Sequence, residues 1–200
     1  MSNENAGLSP DLDQRLAAIE DQLRQLRQAL DLSDRVSQLE DNLLLVSEVY
    51  RYEKLRNLLA AGQWRAADEE TIRVILDLAG EPDIEELTPE QVKKMSCSGL
   101  QVVDRLWRKY SGDRFGFSIQ LKLYQEVGGD LEATIAQDNS IIKKLGERTG
   151  WWGGDRWLSC DELDYSLSAP VGCHPSRWWN SPFGSKMTNF FLGRLLTCDL

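Results

Sequence analysis

The residues best suited to chemistry in this 200-residue sequence are aromatic ones between positions 150 and 183. Five of the seven tryptophans lie there, interrupted by Gly, Pro and Ser and close to Arg156 and Arg177. Aromatic faces, apolar area and a few cations are what binding a large, flat, apolar ligand with carboxylates requires. Because tryptophan is also a common core residue, packing inside the protein is the alternative interpretation.

Catalytic and metal chemistry find little support in the sequence. His174 is the sole histidine, which excludes metal clusters built on several histidines, and no serine lies in a nucleophile elbow. No base or metal partner is evident for the acidic residues Asp161, Glu162 and Asp164, which we interpret as a solvated loop. We therefore expect a protein that is not an enzyme.

The four cysteines are far apart and none forms a Cys-x-x-Cys pair. This spacing predicts free thiols and neither a disulfide framework nor a zinc site. The cysteines are Cys97, Cys160, Cys173 and Cys198.

Composition and charge limit the class of protein further. The chain is 42% hydrophobic and 28% charged, with a net charge of −9 and a pI near 4.7. A field of that sign disfavours nucleic acids and anionic lipid surfaces as general partners. No apolar run approaches the ~20 residues of a membrane span, and the start of the chain does not resemble a signal peptide. The sequence predicts a cytoplasmic protein.

A heptad rhythm follows a polar segment, residues 1–10, that we expect to be disordered. Apolar residues then recur at steps of four and three over 11–48, with a slip at 31–33. One helix could absorb this slip, or two helices could meet there. The segment is interpreted either as an amphipathic helix docked on its own domain or as a dimerising coiled coil. Its apolar positions are Leu12, Leu16, Ile19, Leu23, Leu26, Leu30, Val36, Leu39, Leu43, Val46 and Tyr50.

Helix signals dominate the rest of the chain, 49–200. Gly62 and Gly80 are typical of helix ends, and Thr88 followed by Pro89 is typical of a helix start. Trp64 and Trp107 lie on apolar helical stripes and are expected in the core. Strict alternation of apolar residues over 115–123 by itself predicts a strand.

Several segments, in order, resemble the genomes-uncoupled-four family of porphyrin carriers. The resemblance covers about 50–200 and includes the family's opening helical pair, its most recognisable central stretch, and a Gly-Trp pair. The matching segments are LRNLLAAGQW (55–64), ADEET (67–71), VDRLW (103–107), FGFSIQ (115–120), GW (150–151), SAP (168–170), GCHP (172–175), Arg194 and Cys198.

This resemblance implies an all-α fold: a compact helical tetrapyrrole-binding domain, here at 49–200, behind an N-terminal heptad-bearing helix. It implies binding of protoporphyrin or Mg-protoporphyrin in an open apolar concavity, without covalent chemistry. It also implies regulation of, or substrate delivery to, magnesium chelatase in chlorophyll synthesis, with the large porphyrin-binding chelatase subunit as partner. The implied setting is a photosynthetic organism, in the cytoplasm or peripheral to photosynthetic membranes. Since the family fold is helical, residues 115–123 are expected to form a helix.

The candidate ligand-binding residues are the aromatic, apolar and cationic side chains of this region. They are Phe117, Trp151, Trp152, Arg156, Trp157, Tyr165, Leu167, Arg177, Trp178, Trp179 and Phe183.

The sequence departs from the family pattern where the pocket is expected. The family's Gly-His-Leu-Pro element lacks its leucine and contains Cys173, and Trp152 replaces a commonly basic residue after the Gly-Trp pair. His174 as an axial metal ligand and Cys173 as a bilin attachment point are open alternatives to structural roles. An alternative function is therefore a coiled-coil interaction or signalling module whose degenerate pocket binds a bilin or no tetrapyrrole.

Overall fold

Helices make up most of the structure, a computed structural model that describes residues 10–179 and 185–200. A two-residue antiparallel pairing of Trp152–Gly153 with Arg156–Trp157 is the strand content of these residues. The prediction of an all-α fold is confirmed. In chain order the elements are α1 (Pro10–Ala60), α2 (Trp64–Ala79), α3 (Pro89–Lys94), α4 (Cys97–Ser111), α5 (Phe117–Glu126), α6 (Leu131–Ala136), α7 (Asn139–Thr149), β1 (Trp152–Gly153), β2 (Arg156–Trp157), a 3₁₀ helix (Cys160–Glu162) and α8 (Ser185–Thr197).

The chain divides into two units between Val49 and Tyr50. The described part of the first unit is one uninterrupted helix, so the slip at 31–33 does not separate two helices. Residues 1–9 of the segment expected to be disordered, and the side chains of Leu12, Leu30, Leu43 and Val46, lie outside the described residues. The described heptad side chains in this unit are exposed: Leu16, Ile19, Leu23, Leu26, Val36 and Leu39.

The residues of the second unit that predict helix ends in the sequence lie at helix ends in the structure. Gly80 ends α2 in the left-handed conformation, with φ of 75°, which glycine adopts without steric cost. Thr88 caps α3 through its side chain, which accepts a hydrogen bond from the Gln91 backbone N–H, and Pro89 occupies the first helical position. These caps fix the end of α2 and the start of α3.

The strand indicated by alternation over 115–123 is wrong, and the helix expected from the family resemblance is confirmed as α5. The same residues also have helical spacing, and this second period matches the burial: Phe117, Leu121 and Tyr124 are all buried. Apolar alternation alone could not separate the two periods in so short a segment.

An aromatic cluster lies at the centre of the second unit. Trp64 and Trp107 are buried as predicted, and their ring centroids are 6.1 Å apart. Phe115 meets both rings edge to face, at 5.9 and 6.3 Å. The indole N–H of Trp107 donates a hydrogen bond of 2.9 Å to Thr71 Oγ1, so this buried polar group is satisfied.

The prediction of four free thiols is wrong for two of them. Cys97 and Cys198 form a disulfide with Cα atoms 5.2 Å apart. The two residues are 101 positions apart in the sequence and have no motif around them. They are close because the end of α8 lies next to the start of α4. The spacing of the cysteines in the sequence does not reveal this contact. Cys160 and Cys173 are free and buried.

None of the helices, over the described ranges 10–179 and 185–200, combines the length and apolar character needed to cross a membrane.

Candidate functional site

Four of the predicted ligand-binding residues are buried in the core. Trp178 is stacked on Phe191 of α8 at 4.3 Å between ring centroids, and Phe117 meets the same Phe191 at 5.3 Å. The indole N–H of Trp151 donates to the carbonyl of Cys173 at 2.8 Å. The four are Phe117, Trp151, Trp178 and Trp179. Their immediate role is packing, which is the alternative that the sequence left open.

Two further tryptophans remain half-exposed on the β1–β2 ribbon. Trp152 and Trp157 face each other across the strands, edge to face, with centroids 5.3 Å apart. Lys143 Nζ lies 4.5 Å from the centre of the Trp152 ring, a cation–π geometry. Gly146 of α7 lies beneath Trp157, and a Cβ at this position would come within 2.4 Å of the indole. The glycine therefore allows the ribbon to lie flat on α7.

The predicted cations are already paired with carboxylates. Arg156 makes a two-pronged contact with Glu162, and this contact together with the Ser159 amide lowers the Glu162 pKa to about 2. Arg177 lies 3.1 Å from Glu69 and 3.5 Å from Asp161. A ligand carboxylate would have to compete with these partners.

Tyr165 takes part in a buried hydrogen-bond network centred on Asp68. Its hydroxyl donates to Asp68 Oδ2 at 2.9 Å, and the backbone N–H and hydroxyl of Ser176 donate to the same carboxylate at 2.7 and 2.6 Å. This network ties the loop at 174–177 to α2. Of the remaining predicted residues, Leu167 is exposed, and Phe183 lies outside the described residues.

His174 is enclosed next to this network. Its ring stacks on Tyr165 at 4.5 Å, and its Nε2 lies 2.9 Å from the Asp164 carbonyl oxygen, to which Nε2–H can donate. Burial lowers the pKa of His174 below its ordinary value, although Asp68 opposes this effect. The described residues contain no cluster of three potential metal-binding side chains. A bracing role for His174 explains these contacts, and axial ligation of a bound metal stays an alternative prediction.

The lowered pKa of His174 predicts a pH dependence of stability. The unfolded chain takes up a proton near pH 6.5, whereas the buried ring resists it, so acidification favours unfolding. We expect the free energy of unfolding to fall between pH 7.5 and 5.5, by up to about 1.4 kcal/mol per pH unit from this residue. Urea titrations across that range should show a shallower slope for His174→Gln. Equal slopes for the two proteins would contradict this assignment.

An open apolar cavity of about 510 Å³ lies outside the predicted set, between α3, α6 and α8. Ile135 and Leu131 project from α6 one helical turn apart, and Ile135 is 75% exposed. Phe190 contributes a half-buried aromatic face from α8, whereas the next residue, Phe191, lies about 100° further around the helix and is buried in the core. The volume is within the range of small-molecule sites. The lining residues are Lys93, Leu131, Thr134, Ile135, Gln137, Asn189, Phe190, Gly193, Arg194 and Thr197.

Polar groups in this cavity are few and distinct. Lys93 Nζ lies 5.2 Å from the Phe190 ring centre and 3.4 Å from Glu90, a weak and exposed pairing. Arg194 is held by the Met95 carbonyl, to which its Nε donates at 3.0 Å. Asn189 is buried, and its Oδ1 has no hydrogen-bond partner among the described atoms. The described lining thus offers apolar walls, a cation in a weak ion pair and an acceptor without a hydrogen-bond partner.

Sequence reasoning missed this cavity. Leu131 and Ile135 share one face of a six-residue helix, but this spacing is equally typical of a core-facing helix and is therefore only a weak signal. Phe190 and Lys93 gave no such signal, since their proximity depends on the packing of α3 against α8.

Comparison with known proteins assigns the family. The GUN4-like family model matches residues 46–189. Among curated proteins, the chain is 37% identical over 81 residues to a chloroplastic tetrapyrrole-binding protein of Arabidopsis thaliana, covering 40% of this chain and 31% of that protein. It is 28% identical over 127 residues to a Ycf53-like protein of Synechocystis, covering 62% and 50% of the two chains. The chain therefore spans about half or less of the length of these relatives.

Solved structures give the same assignment. The ligand-free structure of GUN4 from Arabidopsis thaliana superposes with a TM-score of 0.55 at 26% identity, covering 70% of this chain and 91% of that one. GUN4 from Chlamydomonas reinhardtii gives a TM-score of 0.52 at 25% identity, covering 70% and 86%. The family match extends over most of the chain and includes α3, α6, the aromatic region and the start of α8, so the chain belongs to the GUN4-like family.

Proposed function

We propose that this chain binds a tetrapyrrole and performs no covalent chemistry on it. The observation that carries the proposal is the coincidence of family membership with an open apolar cavity of suitable size. A relative in that family is named as a tetrapyrrole-binding protein. Burial of a few hundred Å² of macrocycle at roughly 25 cal/mol per Å² yields several kcal/mol, enough for micromolar affinity after the costs of association.

The cavity between α3, α6 and α8 is our proposed position for the macrocycle. Ile135 and Phe190 would contact its apolar faces, and Lys93 would approach a propionate. The accessible members of the predicted set form a second proposed contact surface, which the same experiment distinguishes from the first. They are Trp152, Arg156, Trp157, Tyr165, Leu167 and Arg177.

A titration with metal-free and magnesium deuteroporphyrin tests the proposal. Soret absorption and tryptophan quenching should show saturable one-to-one binding near the micromolar range. Absence of binding to both porphyrins and to bilins would reject a tetrapyrrole role. A bilin bound in preference to either porphyrin would instead support the alternative ligand.

Matched substitutions locate the ligand. Ile135→Asp places a charge in the cavity at an exposed position, so we expect porphyrin affinity to fall at least tenfold with little change in stability. Leu167→Asp makes the same change beside the aromatic region, at a residue 47% exposed, and should leave affinity within twofold. The opposite pattern, with Leu167→Asp or Trp157→Ala weakening binding, would place the ligand on the aromatic surface.

The proposed role of the bound ligand is in chlorophyll synthesis. We propose protoporphyrin or Mg-protoporphyrin as ligand, and regulation of or substrate delivery to magnesium chelatase through its large porphyrin-binding subunit. Action in the cytoplasm, or at the periphery of photosynthetic membranes, belongs to the same proposal. Adding the full chain to purified chelatase subunits at limiting porphyrin should raise the rate of magnesium insertion. An unchanged rate would separate this protein from chelatase while leaving ligand binding intact.

A second candidate function rests on a different observation. The exposed apolar side chains of α1 favour an interaction role for residues 12–50, by homodimerisation or through another helical partner. Such a module would act whether or not the cavity holds a tetrapyrrole.

A further inference from the structure

A row of large apolar side chains along the first half of α1 is exposed. Leu16, Ile19, Leu23 and Leu26 follow each other at steps of three, four and three, and each is 47–60% exposed. This spacing puts them on one face of the helix, at the positions labelled a and d in a heptad. A contiguous apolar face of this kind marks an interaction surface, because exposing it to water is unfavourable and covering it with a partner is favourable.

The opposite face of the same helix segment is polar. Asp21 accepts a hydrogen bond of 2.9 Å from Gln25 and lies 3.9 Å from Arg24, all at outer heptad positions. The helix is therefore amphipathic in the sense required for a two-stranded coil, with one apolar side and one solvated side.

The charges beside the apolar row fit a second copy of this chain. Arg15 occupies the g position before Leu16, and Glu20 the following e position; both are exposed. In a parallel, in-register pair, g of one helix faces e of the next heptad in its partner, so Arg15 meets Glu20 twice. The next pair places Gln22 against Arg27, which brings no like charges together.

The sequence repeats this order twenty residues later. Positions 35 and 40 hold arginine and glutamate in the same g and e relation. In an antiparallel pair centred on position 31, position 15 would instead meet position 47, a serine, and position 20 would meet position 42, an asparagine. Parallel pairing thus satisfies charges that antiparallel pairing leaves without an opposite charge.

We infer that the first half of α1 is a self-association surface on which two copies of this chain pair as a parallel, in-register coiled coil. The row contains two heptads, so the dimer is of moderate affinity and its population depends on protein concentration. This inference does not depend on the ligand or on the cavity.

The test uses the full chain and measures its mass by sedimentation equilibrium over a range of concentrations. The wild-type protein should reach dimer mass as concentration rises. Leu23→Lys, which places a charge in the apolar row, should be monomeric throughout, yet bind deuteroporphyrin like the wild type. Monomer mass for the wild type at every concentration would overturn the inference, and trimer mass would overturn the two-stranded form.

Charge reversal tests the parallel orientation. Arg15→Glu and Glu20→Arg each create two like-charge pairs in a parallel dimer, so each alone should raise the dissociation constant about tenfold. An equimolar mixture of the two variants restores opposite charges in the heterodimer and should recover wild-type association. Variants that associate like the wild type, or a mixture without recovery, would overturn parallel pairing. Porphyrin titration of the same variants keeps this outcome separate from failure of the proposed function.

Discussion

Trp178→Ala should lower the free energy of unfolding by about 3–5 kcal/mol, the range for removing a large aromatic side chain from a packed core. The ring is 3% exposed and stacks on Phe191 at 4.3 Å. Its indole N–H donates to the Pro175 carbonyl at 3.0 Å and to Gln120 Oε1 at 3.2 Å. The substitution therefore removes apolar contacts, leaves a cavity and takes away the donor to Gln120 Oε1, whereas the Pro175 carbonyl still accepts from Gln120 Nε2. Guanidinium unfolding followed by circular dichroism measures the loss.

The matched control is Trp152→Ala, at a tryptophan of the same region that is half-exposed. Its ring contacts Trp157 edge to face and carries Lys143 above it; Lys143 is exposed and stays hydrated after truncation, and Trp157 keeps its contact with Trp179. We expect a loss of about 1 kcal/mol. If Trp178→Ala lowers the free energy of unfolding by no more than Trp152→Ala does, the assignment of Trp178 to the core is wrong.

This contrast identifies what the sequence could establish about the aromatic region. Trp151 and Trp152 are neighbours with the same composition around them, yet one is buried and the other half-exposed. Residues in irregular loops have no period that assigns them to a face, so their burial depends on contacts with distant elements such as α8. The helices of the second unit were better specified, because caps such as Thr88 and apolar stripes such as that of Trp107 are local signals.

The cavity, likewise, could not be predicted from the sequence. Ile135, Phe190 and Lys93 come from three helices that are separated by long stretches of sequence. None of these residues is unusual in its own segment. The tryptophan-rich region can be recognised from its composition. A cavity depends on how the helices pack, and no comparable pattern in the sequence predicts it.

Cys97→Ser should lower the free energy of unfolding by about 2–4 kcal/mol relative to the oxidised protein. The disulfide closes a loop of 101 residues, so its removal lets the unfolded chain regain much conformational entropy. Dithiothreitol should destabilise the wild-type protein by the same amount and should not affect Cys97→Ser further. Equal stability of the wild-type protein with and without reductant would show that the two cysteines do not stabilise the fold.

The same disulfide should have little influence on porphyrin affinity. Because a crosslink acts mainly on the unfolded chain, the native position of α8 depends on its noncovalent contacts. In the oxidised form Arg194 donates to the Met95 carbonyl and Gln101 Nε2 donates to the Cys198 carbonyl at 3.2 Å, and neither hydrogen bond involves a sulfur atom. We therefore expect deuteroporphyrin dissociation constants within twofold of each other with and without dithiothreitol at 25 °C, although the midpoint of thermal unfolding falls. A larger change in affinity would mean that the disulfide itself holds α8, and hence Phe190, in its position at the proposed site.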